Sequence, residues 1–215
     1  MRLARAATAR RGRDARTERR DRRVRMRSSA GEGYVERTTR WIDAFIVGRN
    51  VCPFAREPRR RGRVGVRVCE GETLEEVIEV VCARALALGT MDEGEEGWTE
   101  VIVTPSCDAL RSFDDMLDAA EIVEEIVRDG LGLDGVIQIV AFHPEYRFAG
   151  EDADDPAAFT NRSPWPSWHV LREADVSRAV RSSIPVKEIP VENARALRAV
   201  GFGALVEMLR GFQRT

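Results

Sequence analysis

Between residues 63 and 142, runs typical of strands alternate with long amphipathic segments, and this alternation restricts the fold most strongly. The runs RVGVRV (63–68), WTEVIVTP (98–105) and GVIQIVAF (135–142) are rich in β-branched residues. Residues 73–88 and 112–130 carry apolar side chains at helical spacing. Two strand-helix-strand crossovers in succession predict an α/β fold, with a small β-α-β-α-β sheet covered by helices.

Further helices are predicted on both sides of this unit. Apolar residues at helical spacing over 34–50 predict an N-terminal helix that ends near Gly48, and residues 190–210 predict C-terminal helices. Residues 34–212 are therefore predicted to form a single globular domain. A ferredoxin-like α+β sandwich is the alternative arrangement of these elements.

The N-terminal segment differs from the rest of the chain in charge. Residues 1–28 contain twelve arginines and three acidic residues, whereas residues 29–215 contain 22 basic and 33 acidic residues. Residues 1–30 have too few apolar side chains to fold alone and are predicted to be a disordered extension. There are three interpretations: a transit peptide for a mitochondrion or a plastid, a basic arm that contacts nucleic acid, and an over-extended start of the gene. The acidic body disfavours nucleic acid as a partner.

The composition also restricts where the protein works. No apolar run approaches the ~20 residues of a membrane-spanning helix, which predicts a soluble protein without a membrane partner. The four cysteines show no CxxC spacing and no sign of a disulfide scaffold. An intracellular, reducing compartment is predicted, the cytoplasm unless the N-terminal segment directs the protein to an organelle.

Both histidines of the chain lie in one irregular region. His143 directly follows the third predicted strand, and His169 lies in SWHVLRE (167–173). In a parallel sheet the ligand crevice lies beyond the carboxyl ends of the strands, which is where His143 is expected. A long segment without a regular pattern inside a domain is usually functional or disordered, and the prolines here favour an ordered one. If SWHVLRE is helical, His169 and Glu173 share one face.

This region predicts an enzyme whose two histidines transfer protons. Imidazole changes its charge near neutral pH, so His143 and His169 are candidate catalytic residues. A carboxylate, Glu173 or Glu145, is expected to orient one of the two imidazoles. In a second version, His143, His169 and Glu145 hold a metal ion, with iron or zinc as the candidates for two histidines and one carboxylate.

Arginines in the same region predict the substrate class. The planar guanidinium groups of Arg162 and Arg172 suit a carboxylate or a phosphate, so a small anionic molecule is the predicted partner. Asn161 can donate and accept hydrogen bonds, and Trp165 can form a wall of the pocket. The alternative from another class is a non-catalytic module that binds a ligand or a peptide in a shallow groove between Trp165 and Trp168.

Cys52 is a separate candidate. It lies in NVCPFA (50–55), directly before a basic patch at 56–63. If these arginines surround the thiol, they lower its pKa and make it a better nucleophile. A third version of the enzyme therefore uses Cys52 as the nucleophile and His143 or His169 as the base.

Three motifs in this order, NVCPFA (50–55), FHPEYRFAG (142–150) and TNRSPWPSWHVLRE (160–173), resemble the bacterial family catalogued as domain of unknown function 1415. The resemblance spans residues 41–210, with Val51 and Val170 where the family has leucine. Arg147 falls at a variable position of the second motif. The family implies no activity, so it supplies only the signature positions, which in this chain are Cys52, Pro53, His143, Pro144, Asn161, Arg162, Ser163, Pro164, His169, Arg172 and Glu173.

Overall fold

Four strands form one open, mixed sheet in the computed structural model, which describes residues 31–91, 97–181 and 186–214. The strands are β1 (Val64–Val68), β2 (Thr99–Val103), β3 (Ile137–Phe142) and β4 (Ser167–Arg172). They lie in the order β1-β2-β4-β3, with β1 parallel to β2 and with β4 antiparallel to both of its neighbours. The predicted arginine-rich extension, residues 1–30, lies outside the described residues.

The helices surround this sheet. In chain order they are α1 (31–41, continued by a π-helical turn, Ile42–Val47), α2 (Arg56–Arg60), α3 (Leu74–Gly89), α4 (Phe113–Glu125, continued by a π-helical turn, Ile126–Gly130), α5 (Glu173–Val180), α6 (Ile189–Val200) and α7 (Phe202–Gln213). Short 3-10 turns cover Asp108–Leu110, Pro156–Thr160 and Val186–Glu188. None of the described helices is long and apolar enough to cross a membrane.

The α/β class and the predicted β-α-β-α-β order are confirmed, and a fourth strand completes the sheet. The full order, β-α-β-α-β-β, differs from the β-α-β-β-α-β order of the ferredoxin-like alternative. The helical interpretation of SWHVLRE is wrong, because residues 167–172 of this motif form β4. Consequently His169 and Glu173 do not share a helix face. The parallel-sheet argument for His143 fails too, because β3 lies at the edge of the sheet beside an antiparallel strand.

Helices α3 and α4 cover one face of the sheet. Helix α3 begins at a capping box, in which Thr73 accepts from the backbone N–H of Glu76 and the Glu76 carboxylate accepts from that of Thr73. Its apolar face packs against even-numbered residues of the central strands, including Ile102 and Trp168. The buried residues of α3 and α4 in this layer are Val77, Val81, Ala85, Leu88, Met116, Ala119, Ala120 and Val123.

The opposite face is covered by α1, α6, α7 and the 3-10 turn at Pro156–Thr160. Side chains alternate along a strand, so the odd-numbered residues Val101 and Val103 of β2 point to this layer. They pack in one apolar cluster with residues of the covering elements, namely Trp41, Ile42, Phe45, Ile46, Phe159, Leu197, Leu205 and Leu209. The sheet therefore lies between two helical layers, and all five residues of β2 are buried.

Residues 161–166 carry the chain from this layer into β4. The backbone N–H and the hydroxyl of Thr104, just after β2, both donate to the carbonyl of Pro166, at 2.9 and 3.0 Å. The Gln213 side chain at the end of α7 donates to the carbonyl of Pro164 at 2.6 Å. The prolines of this motif therefore serve as acceptors that guide β4 between β2 and β3.

Candidate functional site

A cavity of about 300 Å³ lies between the sheet and α1. Most of its wall is apolar and comes from α1, from the loop before α2, and from the sheet. The polar side chains that line it are Cys52, Thr99, Thr160, Asn161 and His169. Four of them, Cys52, Thr160, Asn161 and His169, come from two of the three signature motifs, which the fold brings to one place.

The π-helical turn of α1 shapes one wall of the cavity through Ile42 and Ile46. Such turns are rare and occur frequently at functional sites. A Cβ atom on Gly48, at the end of the turn, would lie 2.5 Å from the Ala44 carbonyl oxygen, so glycine is required there. The chain then reverses through Asn50, whose φ of 57° is in the left-handed region.

The loop that follows holds Cys52 at the cavity wall. The Cys52 backbone N–H donates to the Ile46 carbonyl at 3.3 Å. The Asn193 side chain of α6 donates to the Val51 carbonyl at 2.8 Å. The position of the thiol therefore depends on α1 and α6, which lie far apart in the sequence.

The electrostatics of Cys52 differ from the sequence prediction. Burial raises the pKa of the thiol, and hydrogen bonds from the backbone N–H groups of Phe54 and Ala55 offset only part of this rise. The expected lowering of the pKa by the basic patch is wrong. Three arginines of the patch are paired with acidic side chains instead, Arg59 with Asp43, and Arg60 and Arg61 with Glu57.

His169 projects from the middle of β4 into the same cavity. Its Nε2 lies 2.6 Å from the hydroxyl of Thr99, which in turn donates to the Val170 carbonyl at 2.8 Å. No hydrogen-bond partner for Nδ1 occurs among the residues that the structure describes. Burial lowers the pKa of His169 to about 4, so the imidazole is neutral at neutral pH.

Asn161 lines the cavity beside Thr160. Its side-chain oxygen accepts a hydrogen bond from the Thr160 hydroxyl at 3.0 Å. Its backbone carbonyl accepts from the backbone N–H of His143 at 3.3 Å. Asn161 therefore joins the wall of the cavity to the motif that contains the other histidine.

His143 lies on the opposite side of the sheet, in the layer of α3 and α4. It is buried, its Nε2 lies 3.1 Å from the Leu110 carbonyl, and its Nδ1 accepts from the backbone N–H of Glu145 at 3.0 Å. Since Nδ1 accepts, Nε2 is the donor, and both ring nitrogens have backbone partners. Burial lowers the pKa of His143 as well.

The predicted metal ligands are therefore not brought together. His143 packs against Phe113 of α4 with ring centroids 5.7 Å apart, whereas His169 faces the cavity beside α1. Glu145 is exposed on the turn after His143. Over the described ranges, no group of three or more histidine, cysteine, aspartate or glutamate side chains is placed to hold a metal ion.

The predicted anion-binding arginine Arg162 lies outside the cavity and joins loop segments. Its guanidinium donates to the carbonyls of Tyr146 and Ala153 at 2.9 and 2.8 Å. It lies over the rings of Phe159 and Phe202, with its carbon 4.8 and 5.2 Å from the ring centroids. The buried guanidinium is bound by carbonyl oxygens and aromatic rings of the chain itself, which is typical of an arginine that stabilises the fold.

The other predicted residues of this region also lie away from the cavity. Arg172 lies 3.8 Å from the Asp175 carboxylate. Glu173 begins α5 and lines a shallow depression with Glu124 and Arg128. Neither residue lines the cavity that contains His169.

The two tryptophans of the binding-module alternative do not form a groove. Trp165 packs edge to face on Tyr34 at 4.9 Å and lies under the Arg37 guanidinium at 5.2 Å. Trp168 is fully buried in the core on the α3 and α4 side.

Thr99 is the site residue that the sequence did not reveal. Thr99 is the first residue of β2, and threonine is common in strands, so its residue type alone did not indicate a site. Only the register brings it near His169, because Val101 pairs with His169 and Thr99 lies two residues earlier on the same face.

The fold and the cavity define a three-layer α/β protein in which a thiol and an imidazole line one apolar pocket. The chain belongs to the family described as "Protein of unknown function (DUF1415)", whose profile matches residues 33–206. This match confirms the resemblance that the three motifs predict. Searches of curated proteins and of solved structures gave no match.

Proposed function

We propose that this protein is a thiol-dependent enzyme that acts on a small, largely apolar acyl compound, with Cys52 as the nucleophile and His169 as the base. One observation carries the proposal: Cys52 and His169, from two separate signature motifs, line the same largely apolar cavity. A nucleophile beside a base that is itself held by a third group is the general arrangement for covalent catalysis.

The walls of the cavity favour an apolar substrate over the anionic molecule predicted from the arginines. Trp41, Val101, Phe142 and Leu171 are among its lining residues, and neither Arg162 nor Arg172 is. A volume of about 300 Å³ is at the small end of the range for ligand pockets. A short acyl chain or a single ring suits such a pocket.

The chemistry that follows is acyl transfer. The Cys52 sulfur attacks the carbonyl carbon of an ester or thioester while His169 accepts the thiol proton. The leaving alkoxide or thiolate departs with that proton, and Cys52 keeps the acyl group as a thioester. Water, deprotonated by His169, then releases the carboxylic acid and restores the thiol. The N–H group of Phe54, which interacts with the sulfur in the resting site, is the nearby donor for the transient oxyanion, whereas the Ala55 N–H also donates to the Cys52 carbonyl at 3.1 Å.

The resting pair consists of a neutral thiol and a neutral imidazole. Burial raises the pKa of Cys52 and lowers that of His169, so an ion pair is disfavoured before substrate binds. Proton transfer is therefore expected during the attack, as in serine hydrolases, and not before it.

Non-catalytic binding of an apolar ligand is the second candidate. The raised pKa of Cys52 favours it, because a protonated thiol is a weak nucleophile. In that case the same cavity binds an apolar molecule, and Cys52 and His169 are only part of its wall.

The test compares Cys52 with a matched cysteine. Cys82 on α3 is also partly exposed, and burial raises its pKa too, but it lies outside the cavity. The full-length protein, Cys52→Ala and Cys82→Ala are incubated with p-nitrophenyl acetate, butyrate and octanoate, and both nitrophenol release and protein mass are followed. We expect an acyl adduct on Cys52 and loss of turnover in Cys52→Ala alone. Equal turnover in all three proteins would overturn the enzymatic proposal. Binding of p-nitrophenyl octanoate without turnover would support the second candidate.

Targeting by the N-terminal segment is a separate proposal that rests on its composition. Residues 1–30 are rich in arginine and lack an apolar run. A fluorescent protein that carries these residues is expected to enter a mitochondrion or a plastid, and diffuse cytoplasmic fluorescence would contradict this.

A further inference from the structure

We infer that Thr99 is a positioning residue of this site, and that its hydroxyl holds His169 in the tautomer whose Nδ1 accepts the proton of Cys52. The second half of this inference rests on the proposed function, whereas the tautomer can be tested without any substrate.

The hydroxyl of Thr99 has a single hydrogen and two close neighbours. The Val170 carbonyl oxygen lies 2.8 Å away and the His169 Nε2 lies 2.6 Å away. A carbonyl can only accept, so the Thr99 hydrogen satisfies it, and the Thr99 oxygen remains as an acceptor. Both contacts are hydrogen bonds only when His169 carries its proton on Nε2.

That tautomer leaves the lone pair on Nδ1. No partner for Nδ1 occurs within the described parts of the chain, and the ring lines the cavity. The nitrogen that has no protein partner is therefore the one that is able to accept a proton. A ring in the other tautomer would place two acceptors, the Thr99 oxygen and Nε2, against each other, or leave the Val170 carbonyl without this donor.

Thr99 is well placed to hold the ring still. It lies at the start of the fully buried β2, and its own backbone N–H donates to the Arg63 carbonyl at 2.9 Å. Its side chain is β-branched and therefore stiff about the first torsion angle. Its hydroxyl therefore has a defined direction. A longer side chain would lose more rotational freedom when it makes the same hydrogen bond.

The other candidates for this role lie elsewhere. Glu145 and Glu173, the carboxylates expected from the sequence to orient an imidazole, do not line the cavity. The Asn161 side-chain oxygen accepts from Thr160. Among the residues that line the cavity, Thr99 is the hydrogen-bond partner of the His169 imidazole, and Phe142 makes a tilted ring contact with it at a centroid distance of 6.2 Å.

A neutral orienting group has a chemical consequence. A carboxylate would stabilise the imidazolium and raise the pKa of the histidine, whereas a hydroxyl does so only weakly. Since burial lowers the pKa of His169 to about 4, the base stays available in mildly acidic solution. The rate of the reaction at Cys52 is therefore expected to fall on the acidic side only near pH 4, well below the ordinary histidine pKa of 6.5.

The first experiment reads the tautomer directly. The chain has two histidines, so nitrogen-15 labelling of histidine gives two ring systems, and His143 serves as the internal reference. In the full-length protein we expect His169 with a protonated Nε2 and a bare Nδ1. Thr99→Val keeps the shape and removes the hydroxyl, and we expect a mixture of His169 tautomers with unchanged His143 signals. Thr99→Ser is expected to restore the original tautomer.

The second experiment links the tautomer to Cys52. The rate of alkylation of Cys52 by iodoacetamide is followed by mass spectrometry, with Cys82 as the internal control. We expect Thr99→Val to slow Cys52 about tenfold, and Thr99→Ser to retain most of the rate. Thr99→Ala is the second variant if Thr99→Val does not fold.

The outcomes separate the two proposals. An unchanged His169 tautomer in folded Thr99→Val would overturn the role of Thr99, whatever the activity. A shifted tautomer with an unchanged Cys52 alkylation rate would overturn the link between Thr99 and the thiol. Turnover that survives Cys52→Ala would overturn the proposed enzyme and leave the tautomer result standing.

Discussion

The two histidines lie on opposite sides of the sheet, and the difference that matters for chemistry is the state of the second ring nitrogen. His143 has backbone partners on both nitrogens and is closed off in the layer of α3 and α4. His169 is held at Nε2 by Thr99, its ring lines the cavity, and its Nδ1 has no hydrogen-bond partner within the described ranges of the chain. The comparison teaches that burial and a lowered pKa are common to both, so neither property identifies a catalytic histidine. What distinguishes His169 is a ring nitrogen with no hydrogen-bond partner among the described residues, in a cavity that Cys52 also lines.

The largest expected difference between the two histidines is in activity. His169→Gln removes the base and is expected to lower turnover of p-nitrophenyl butyrate about a hundredfold or more. His143→Gln, in protein shown to be folded by circular dichroism, is expected to stay within about threefold of wild type, because His143 lies outside the cavity. Equal losses in both variants would break the comparison.

The second largest expected difference is in stability, and here substitution of His143 has the larger effect. His143→Leu leaves the Leu110 carbonyl and the Glu145 N–H without their buried partners, which is expected to lower the free energy of unfolding by about 3 kcal/mol. His169→Leu is expected to cost less at pH 7, because the apolar cavity accepts leucine. Urea unfolding measures both, and a larger loss in His169→Leu would contradict the assignment.

A pH dependence of stability follows from His169. Its pKa in the folded protein is about 4, below the ordinary value of 6.5, so the unfolded chain takes up a proton first as the pH falls. The contribution of neutral His169 to the free energy of unfolding is fully present above about pH 6.5 and is lost as the pH falls from 6.5 towards 4. Between pH 7 and pH 5 the loss is about 2 kcal/mol. Urea unfolding of His169→Leu is expected to show a weaker pH dependence than wild type, and an identical dependence would contradict the lowered pKa.

The smallest effect is the response to an apolar ligand. The uncharged ligand 1-octanol is expected to move the ring signals of His169 and to leave those of His143 near their original positions, because of the two histidines only His169 lines the cavity. Titration followed by nitrogen-15 spectra of labelled histidine measures this. Equal shifts of both histidines would indicate a general change in structure and would remove the cavity as the binding site.

Much of the fold could be predicted from the sequence because periodicity is a local signal. Strands β1 to β3 and helices α3 and α4 appear at the predicted places. Strand β4 was missed because its six residues include an arginine and a histidine and follow a proline-rich stretch. Its insertion between β2 and β3 depends on pairing with residues far away in the chain, for which one sequence carries no signal.

The candidate site could be predicted in part. Cys52, Asn161 and His169 were named as candidate residues, and all three line the cavity. His143, Arg162, Arg172 and Glu173 were named for the same site, and each lies elsewhere. Residue type shows what a side chain is able to do, but whether its polar atoms are already satisfied depends on its neighbours in space.

The motifs and the periodicity of the chain were enough to establish the family, the α/β class and a short set of chemically capable residues. Which of these residues line one cavity depended on the three-dimensional fold. A strand sends consecutive side chains to opposite faces, so His169 joins Thr99 and the cavity while its neighbours Trp168 and Val170 join the opposite core. The register between β2 and β4 determines which side chains of β4 lie beside Thr99. Register arises from contacts between residues that are far apart in the sequence.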